Sequence, residues 1–200
     1  MAYLTKKEAI DAASIKVQRQ ANYSATARSV INESVRKQEA SLAQDYDVFL
    51  SHASEDAAIV LGVYEILIGR GLRVYVDWID DAQLDRTRVT PATADLLRER
   101  MRSSKSMLFI TTKNSSESKW MPWELGYFDG HRKGLVGILP VMNNEYESFN
   151  GQEYLGLYPK VERLPLAGSE GKGLFMVEPS RHGYRSLDAF ATGATAIRPF

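Results

Sequence analysis

At 200 residues the chain suits one domain with an appendage rather than two full domains, and its 44% hydrophobic and 25% charged content is that of an ordinary globular fold. Lys plus Arg and Asp plus Glu each number 25, so no excess of charge argues for nucleic acid or an anionic membrane as a partner. With no cysteine, a disulfide framework, a thiol nucleophile and a thiolate metal site are all excluded. The first residues lack the apolar core of a signal peptide, and no apolar run approaches the roughly 20 residues of a membrane span. The expected location is the cytoplasm.

Residues 1–44 contain neither Gly nor Pro and are rich in Ala, Lys, Arg, Glu and Gln, which predicts an N-terminal helical extension ahead of a domain spanning 45–200. Ile10, Ala13, Val17, Ala27 and Ile31 follow a three-four spacing, interrupted by Gln20 and Ser24. So narrow a stripe suits docking on the neighbouring domain or self-association, and the sequence leaves both open.

From residue 46 the pattern becomes alternating short apolar runs and helical stretches. Residues 46–50 read as a strand, 51–56 as the loop leading into a helix with Ser54 as its cap, and Ile59, Val63, Ile66 and Leu67 as that helix's core face. The helix stops at Gly69-Arg70-Gly71, and a second strand, 72–76, ends on Asp77-Trp78. Residues 79–90 are polar and lack a period, so a long loop is expected there. Thr90-Pro91 opens the next helix as a cap followed by an N1 proline, with Ala94, Leu97 and Met101 facing inward.

The continuous apolar runs 107–110 and 135–141 suit strands buried on both faces. Residues 143–172 read as irregular, 173–177 as a last strand and 186–194 as a last helix. Five strands alternating with helices predict an α/β fold with an open, doubly wound parallel sheet. Ligands bind such sheets beyond the carboxyl ends of the strands, where Ser51-His52-Ala53, Asp77-Trp78 and Thr111-Thr112-Lys113 fall.

The most specific chemistry lies in residues 118–128. On a helix Trp120 and Glu124 sit one turn apart, while Met121, Leu125 and Phe128 form a neighbouring seam fit for burial. Pro122 requires that the helix begin just before it. Asp47, inside a strand, reads as a structural carboxylate satisfied by backbone donors, and His131 and His182 have no spacing partner, so no metal centre is expected.

Tyr46-Asp47-Val48-Phe49-Leu50-Ser51-His52 resembles the first box of the Toll/interleukin-1 receptor (TIR) domain family, and Trp120-Met121-Pro122-Trp123-Glu124-Leu125 resembles its helix-borne box with a Trp four residues before a Glu. The resemblance covers about Asp45 to the last residue and extends to bacterial NAD-consuming members, including those of Thoeris-type antiphage systems. It implies a five-stranded flavodoxin-like sheet. It also implies one of two jobs. One is cleavage of NAD+ at the nicotinamide–ribose bond by the Glu that matches Glu124, giving linear, cyclic or conjugated ADP-ribose. The other is non-enzymatic scaffolding through TIR–TIR self-association, with the 79–90 loop as the contact.

The residue types suit the first job. Nicotinamide in NAD+ carries a positive ring nitrogen and leaves neutral, so one carboxylate suffices where ordinary glycosidases need two. Glu124 would orient the ribose hydroxyls and stabilise an oxocarbenium-like transition state, with Trp120 stacked on a base or covering the cation. Ser51, His52 and Ala53 would offer amide donors to the pyrophosphate, and Asp77 and Trp78 would line the nicotinamide end. NAD+ is then substrate and no resident cofactor is expected. The expected partners are further copies of the chain and an effector protein sensing the product. A third class stays open, a flavodoxin-like binder of another nucleoside using the same rim.

Overall fold

The computed structural model describes residues 1–20, 45–81, 90–180 and 182–200. In chain order the elements are β1 (Leu4–Thr5), α1 (Lys6–Gln20), β2 (Tyr46–Ser51), α2 (Ala57–Ile68), β3 (Val74–Tyr75), α3 (Asp77–Asp80), α4 (Pro91–Arg102) and β4 (Ser104–Thr111). They continue with α5 (Trp120–His131), β5 (Val136–Met142), β6 (Lys160–Pro165), β7 (Lys172–Val177), β8 (Gly183–Ser186), α6 (Leu187–Ala191) and β9 (Arg198–Pro199).

One mixed sheet runs in the order β3-β2-β4-β5-β6-β7-β8-β9, with β1 beside β5. The first five strands of that order pair in parallel, and β6 to β9 pair antiparallel. Side chains alternate between two apolar layers. Val48, Leu50, Leu108 and Ile110 face α1, α2 and α6, whereas Phe49, Met107 and Phe109 face α4 and α5. Strands covered on both faces need no polar alternation, which is why β2, β4 and β5 read as unbroken apolar runs.

The doubly wound parallel sheet is therefore present, with a different fifth strand from the one expected. That strand is β6, inside the stretch 143–172 read as irregular; residues 173–177 belong instead to the antiparallel β7. Ser54 is no helix cap either, since it opens a single 3-10 turn (Ser54–Asp56) and α2 follows from Asp56. Thr90 does cap α4, accepting from the Thr93 N–H at 3.1 Å, and Leu97 and Met101 are buried. Asp47 accepts from the Arg73 N–H at 2.9 Å and from Lys105 Nζ at 2.8 Å, a structural carboxylate.

Of the N-terminal extension, residues 1–20 are described, and they are woven into the domain. Leu4 pairs with Val141, and the Ala2 carbonyl accepts from the Arg163 N–H at 2.7 Å, so this segment lies between the end of β5 and β6. Thr5 and Glu8 form a capping box: the Glu8 N–H donates to Thr5 Oγ1 at 3.2 Å and the Thr5 N–H to Glu8 Oε2 at 2.8 Å. The face of α1 turned inward carries Ala9 and Ala13, while Ile10, expected to be buried, is 44% exposed. The closest approach is at Gly62 of α2, where a Cβ would lie 1.7 Å from the Ala9 carbonyl oxygen.

Residues 79 and 80, expected in a loop, complete the helical turn α3, with Ile79 buried. Asp81 is buried as well, where it takes two bonds from Arg100, at 2.8 and 2.9 Å, and one from the Tyr75 hydroxyl at 2.9 Å. Beside it, burial pushes the Asp80 carboxyl up to about 6 against the Val76 N–H and the Tyr46 hydroxyl, which favour its charged form. The rest of the expected loop, 82–89, lies outside the described residues.

Two predictions follow from these contacts. Gly62→Ala should lower the unfolding free energy by about 1–3 kcal/mol in denaturant titrations, because α1 must move. In an unobstructed helix the same change would raise stability by up to about 1 kcal/mol, so the sign decides. Asp80 holds a proton more readily folded than unfolded, so its stabilising contribution is complete below about pH 4 and is lost as pH rises through about 6. Subtracting the Asp80→Asn stability profile from the native one should leave a fall of about 3 kcal/mol across that window. A rise would contradict the assignment.

Candidate functional site

The order of the sheet reverses between β2 and β4. From β2 the chain goes to β3 on one side, then crosses to β4 on the other, and the carboxyl ends of β2 and β4 flank the crevice where such sheets bind ligands. Side-chain alternation turns Ser51, the last residue of β2, to the same face as Phe49, the face covered by α5.

Helix α5 presents Glu124 to that point. Pro122 is its third residue, where no amide donor is required, and Met121, Leu125 and Phe128 anchor the helix in the apolar layer that holds Phe49 and Phe109. Glu124 is 0% exposed, and Ser51 Oγ donates to its Oε2 at 2.6 Å. A carboxylate taken out of water needs such a donor, so the strand end and the helix fix each other.

His52, next in the chain, heads a second group. Its Nδ1 donates to the Leu50 carbonyl at 2.8 Å; Nε2 is then free to accept from the Trp78 indole N–H at 2.8 Å, a group that can only donate. Asp77 Oδ1 lies 3.2 Å from the same Nε2. His52 and Asp77 are buried and Trp78 is half-buried.

Of the seven expected site residues, Ser51 and Glu124 meet directly, as do His52, Asp77 and Trp78. Ala53 and Trp120 are buried in the apolar layer under α4 and α5. Trp120 packs edge-on against Trp123, ring centroids 5.5 Å apart, and Trp123 in turn stacks on Tyr127 at 5.9 Å.

The rim also holds a tether that the sequence reading missed. Asp56, buried at the start of α2, accepts from the Thr112 hydroxyl and, at 2.7 Å, from Asn114 Nδ2. It ties the loop after β4 to the loop after β2. The acidic residue at the front of α2 was visible in sequence; its partners lie 56 and 58 positions away and carry no local signal. Among the described residues no cluster of three or more His, Asp or Glu could hold a metal ion, and no helix is long and apolar enough to cross a membrane.

Comparison with known proteins bears on this geometry. The chain is 54% identical over 125 residues to a Bacillus cereus (strain MSX-D12) protein named "Probable 3' cyclic ADP-D-ribose synthase ThsB'", a match covering 62% of this chain and 64% of that relative's length. A crystal structure of the TIR domain of the Toll-related receptor TRR-2 from Hydra magnipapillata aligns over 57% of this chain and 83% of its own, with a TM-score of 0.42 and 19% identity. The TIR domain family itself matches residues 48–163, from within β2 through α5 to β6. The strand-end serine and the helix-borne glutamate thus lie within that match, which reaches all five parallel strands, and the chain belongs to the TIR domain family.

Proposed function

We propose that this protein breaks the nicotinamide–ribose bond of NAD+, with Glu124 as the catalytic residue, and acts as an NAD+ nucleosidase or ADP-ribosyl cyclase. The observation that carries the reading is the carboxylate of Glu124, held at the carboxyl edge of the sheet where the strand order reverses, in a chain 54% identical over 125 residues to a protein named as a cyclic ADP-ribose synthase.

The bond electrons leave with the nicotinamide nitrogen, which becomes neutral, and the positive charge passes to the ribose as an oxocarbenium-like centre. Glu124, as carboxylate, stabilises that charge in a site shielded from water, where the interaction is strongest. Ser51 fixes the orientation of the carboxyl group. His52, Asp77 and Trp78 form the wall toward the nicotinamide end, and Trp120 and Ala53 lie beneath the rim. Capture of the centre by water yields ADP-ribose and a proton. Capture by a hydroxyl of the same molecule yields a cyclic product and a proton.

Full burial of Glu124 in the single chain fits an enzyme whose site opens on self-association through the TIR domain, with residues of the 79–90 segment of a second copy completing it. The product then serves as a signal for an effector protein, or NAD+ is depleted, in cytoplasmic antiphage defence. The same burial favours a second reading, a non-enzymatic scaffold acting through TIR–TIR contacts. Concentration-dependent assembly with no turnover at any concentration would support that one.

The test is nicotinamide release from NAD+ across a range of protein concentrations. Glu124→Gln should lower the rate by at least about 100-fold while the fold is retained, as losing the group that stabilises transition-state charge does elsewhere; an unchanged rate would remove Glu124 from the mechanism. In ¹⁸O-labelled water a cyclic product should carry no label, whereas linear ADP-ribose should carry one.

A further inference from the structure

A cavity of about 490 Å³ opens on the carboxyl edge of β4 and β5, beyond the residues assigned to NAD+ cleavage. It is lined by Thr111 at the end of β4, Val141 and Met142 at the end of β5, Lys6 from the start of α1 and Lys113 from the loop after β4. None of Ser51, His52, Asp77, Trp78, Trp120 or Glu124 lines it.

Two observations give this space a chemical preference. Thr111 Oγ1 is buried and has no hydrogen-bond partner, a state that is unfavourable unless a ligand or water meets it. The two ammonium groups, Lys6 and Lys113, are in no ion pair with any described residue. The single carboxylate on the wall, Glu147, is already engaged, accepting from the Asn143 N–H at 2.8 Å. The excess is therefore positive, and the remaining lining is rich in hydroxyl and amide groups, among them Ser115, Ser148 and Gln152. The volume lies within the roughly 300–1,000 Å³ of small-molecule sites.

We infer that this cavity is a second ligand site, one for a phosphorylated sugar or nucleotide. The phosphate sits between Lys6 and Lys113, and a sugar hydroxyl pairs with Thr111 Oγ1. The site does not depend on the NAD+ reaction. It does communicate with the rim, because the residue after Thr111 is tied to Asp56 at the front of α2.

Titration calorimetry of the whole chain with AMP, ribose 5-phosphate and adenosine tests the inference. AMP should bind at least 10-fold more tightly than adenosine. Ribose 5-phosphate matching AMP would mark a sugar-phosphate site, and a weaker response would mark a nucleotide site. The Lys6→Ala, Lys113→Ala double variant, altered at half-buried and exposed positions, should lose at least 10-fold in AMP affinity, Thr111→Val a few-fold, and Glu124→Gln nothing. Absence of AMP binding at 10 mM (about the upper limit for a weak site), equal affinity for adenosine, or undiminished binding by the double lysine variant would each overturn the proposal.

Discussion

The contact between Ser51 and Glu124 is the constraint around which the rest is arranged. A carboxylate with no exposed surface is tolerated only where donors reach it, and here a hydroxyl at the end of a central strand does so across 73 residues of sequence. That one contact requires β2 to end where it does, α5 to lie across the sheet face that carries Phe49 and Phe109, and the seam of Met121, Leu125 and Phe128 to hold the helix in register. The chemistry proposed for Glu124 uses the same property that makes the residue costly to bury, since a charge kept from water acts strongly on any charge that develops beside it.

The rim is stitched from both sides. Asp56 binds the loops after β2 and β4 together, and Asp81 pins the turn after β3 to Arg100 of α4. His52, with Trp78 on one ring nitrogen and the Leu50 carbonyl on the other, joins the first of these loops to α3. Each tie uses a buried or half-buried polar group whose partner comes from another element. Movement at one strand end is thereby felt at the next.

How much of this was legible depended on whether the signal was local. β2, β4 and β5 could be read because burial on both faces leaves unbroken apolar runs, and the paired Trp120 and Glu124 stood out because one helical turn brings them together. β6 was missed because Lys160, Glu162 and Arg163 give it the look of a loop, although Glu162 is buried in the fold. β1 is two residues long, too short for any period, and the Thr5-to-Glu8 capping box that follows was a readable signal passed over. The inward face of α1 rests on two alanines against a glycine, so close packing of small side chains outweighed the larger Ile10 that periodicity favoured. The mutual contacts of Ser51 with Glu124 and of His52 with Trp78 are tertiary, and no spacing in the sequence announced them.

A double-mutant cycle on Ser51→Ala and Glu124→Gln, read in unfolding free energy and in nicotinamide release, tests this account most directly. It predicts a coupling of at least about 1 kcal/mol in stability, and a double variant no slower than Glu124→Gln alone, because the serine acts through the glutamate. Additive effects on both readouts would mean that the two side chains act independently, and the strand-end contact would no longer explain the site.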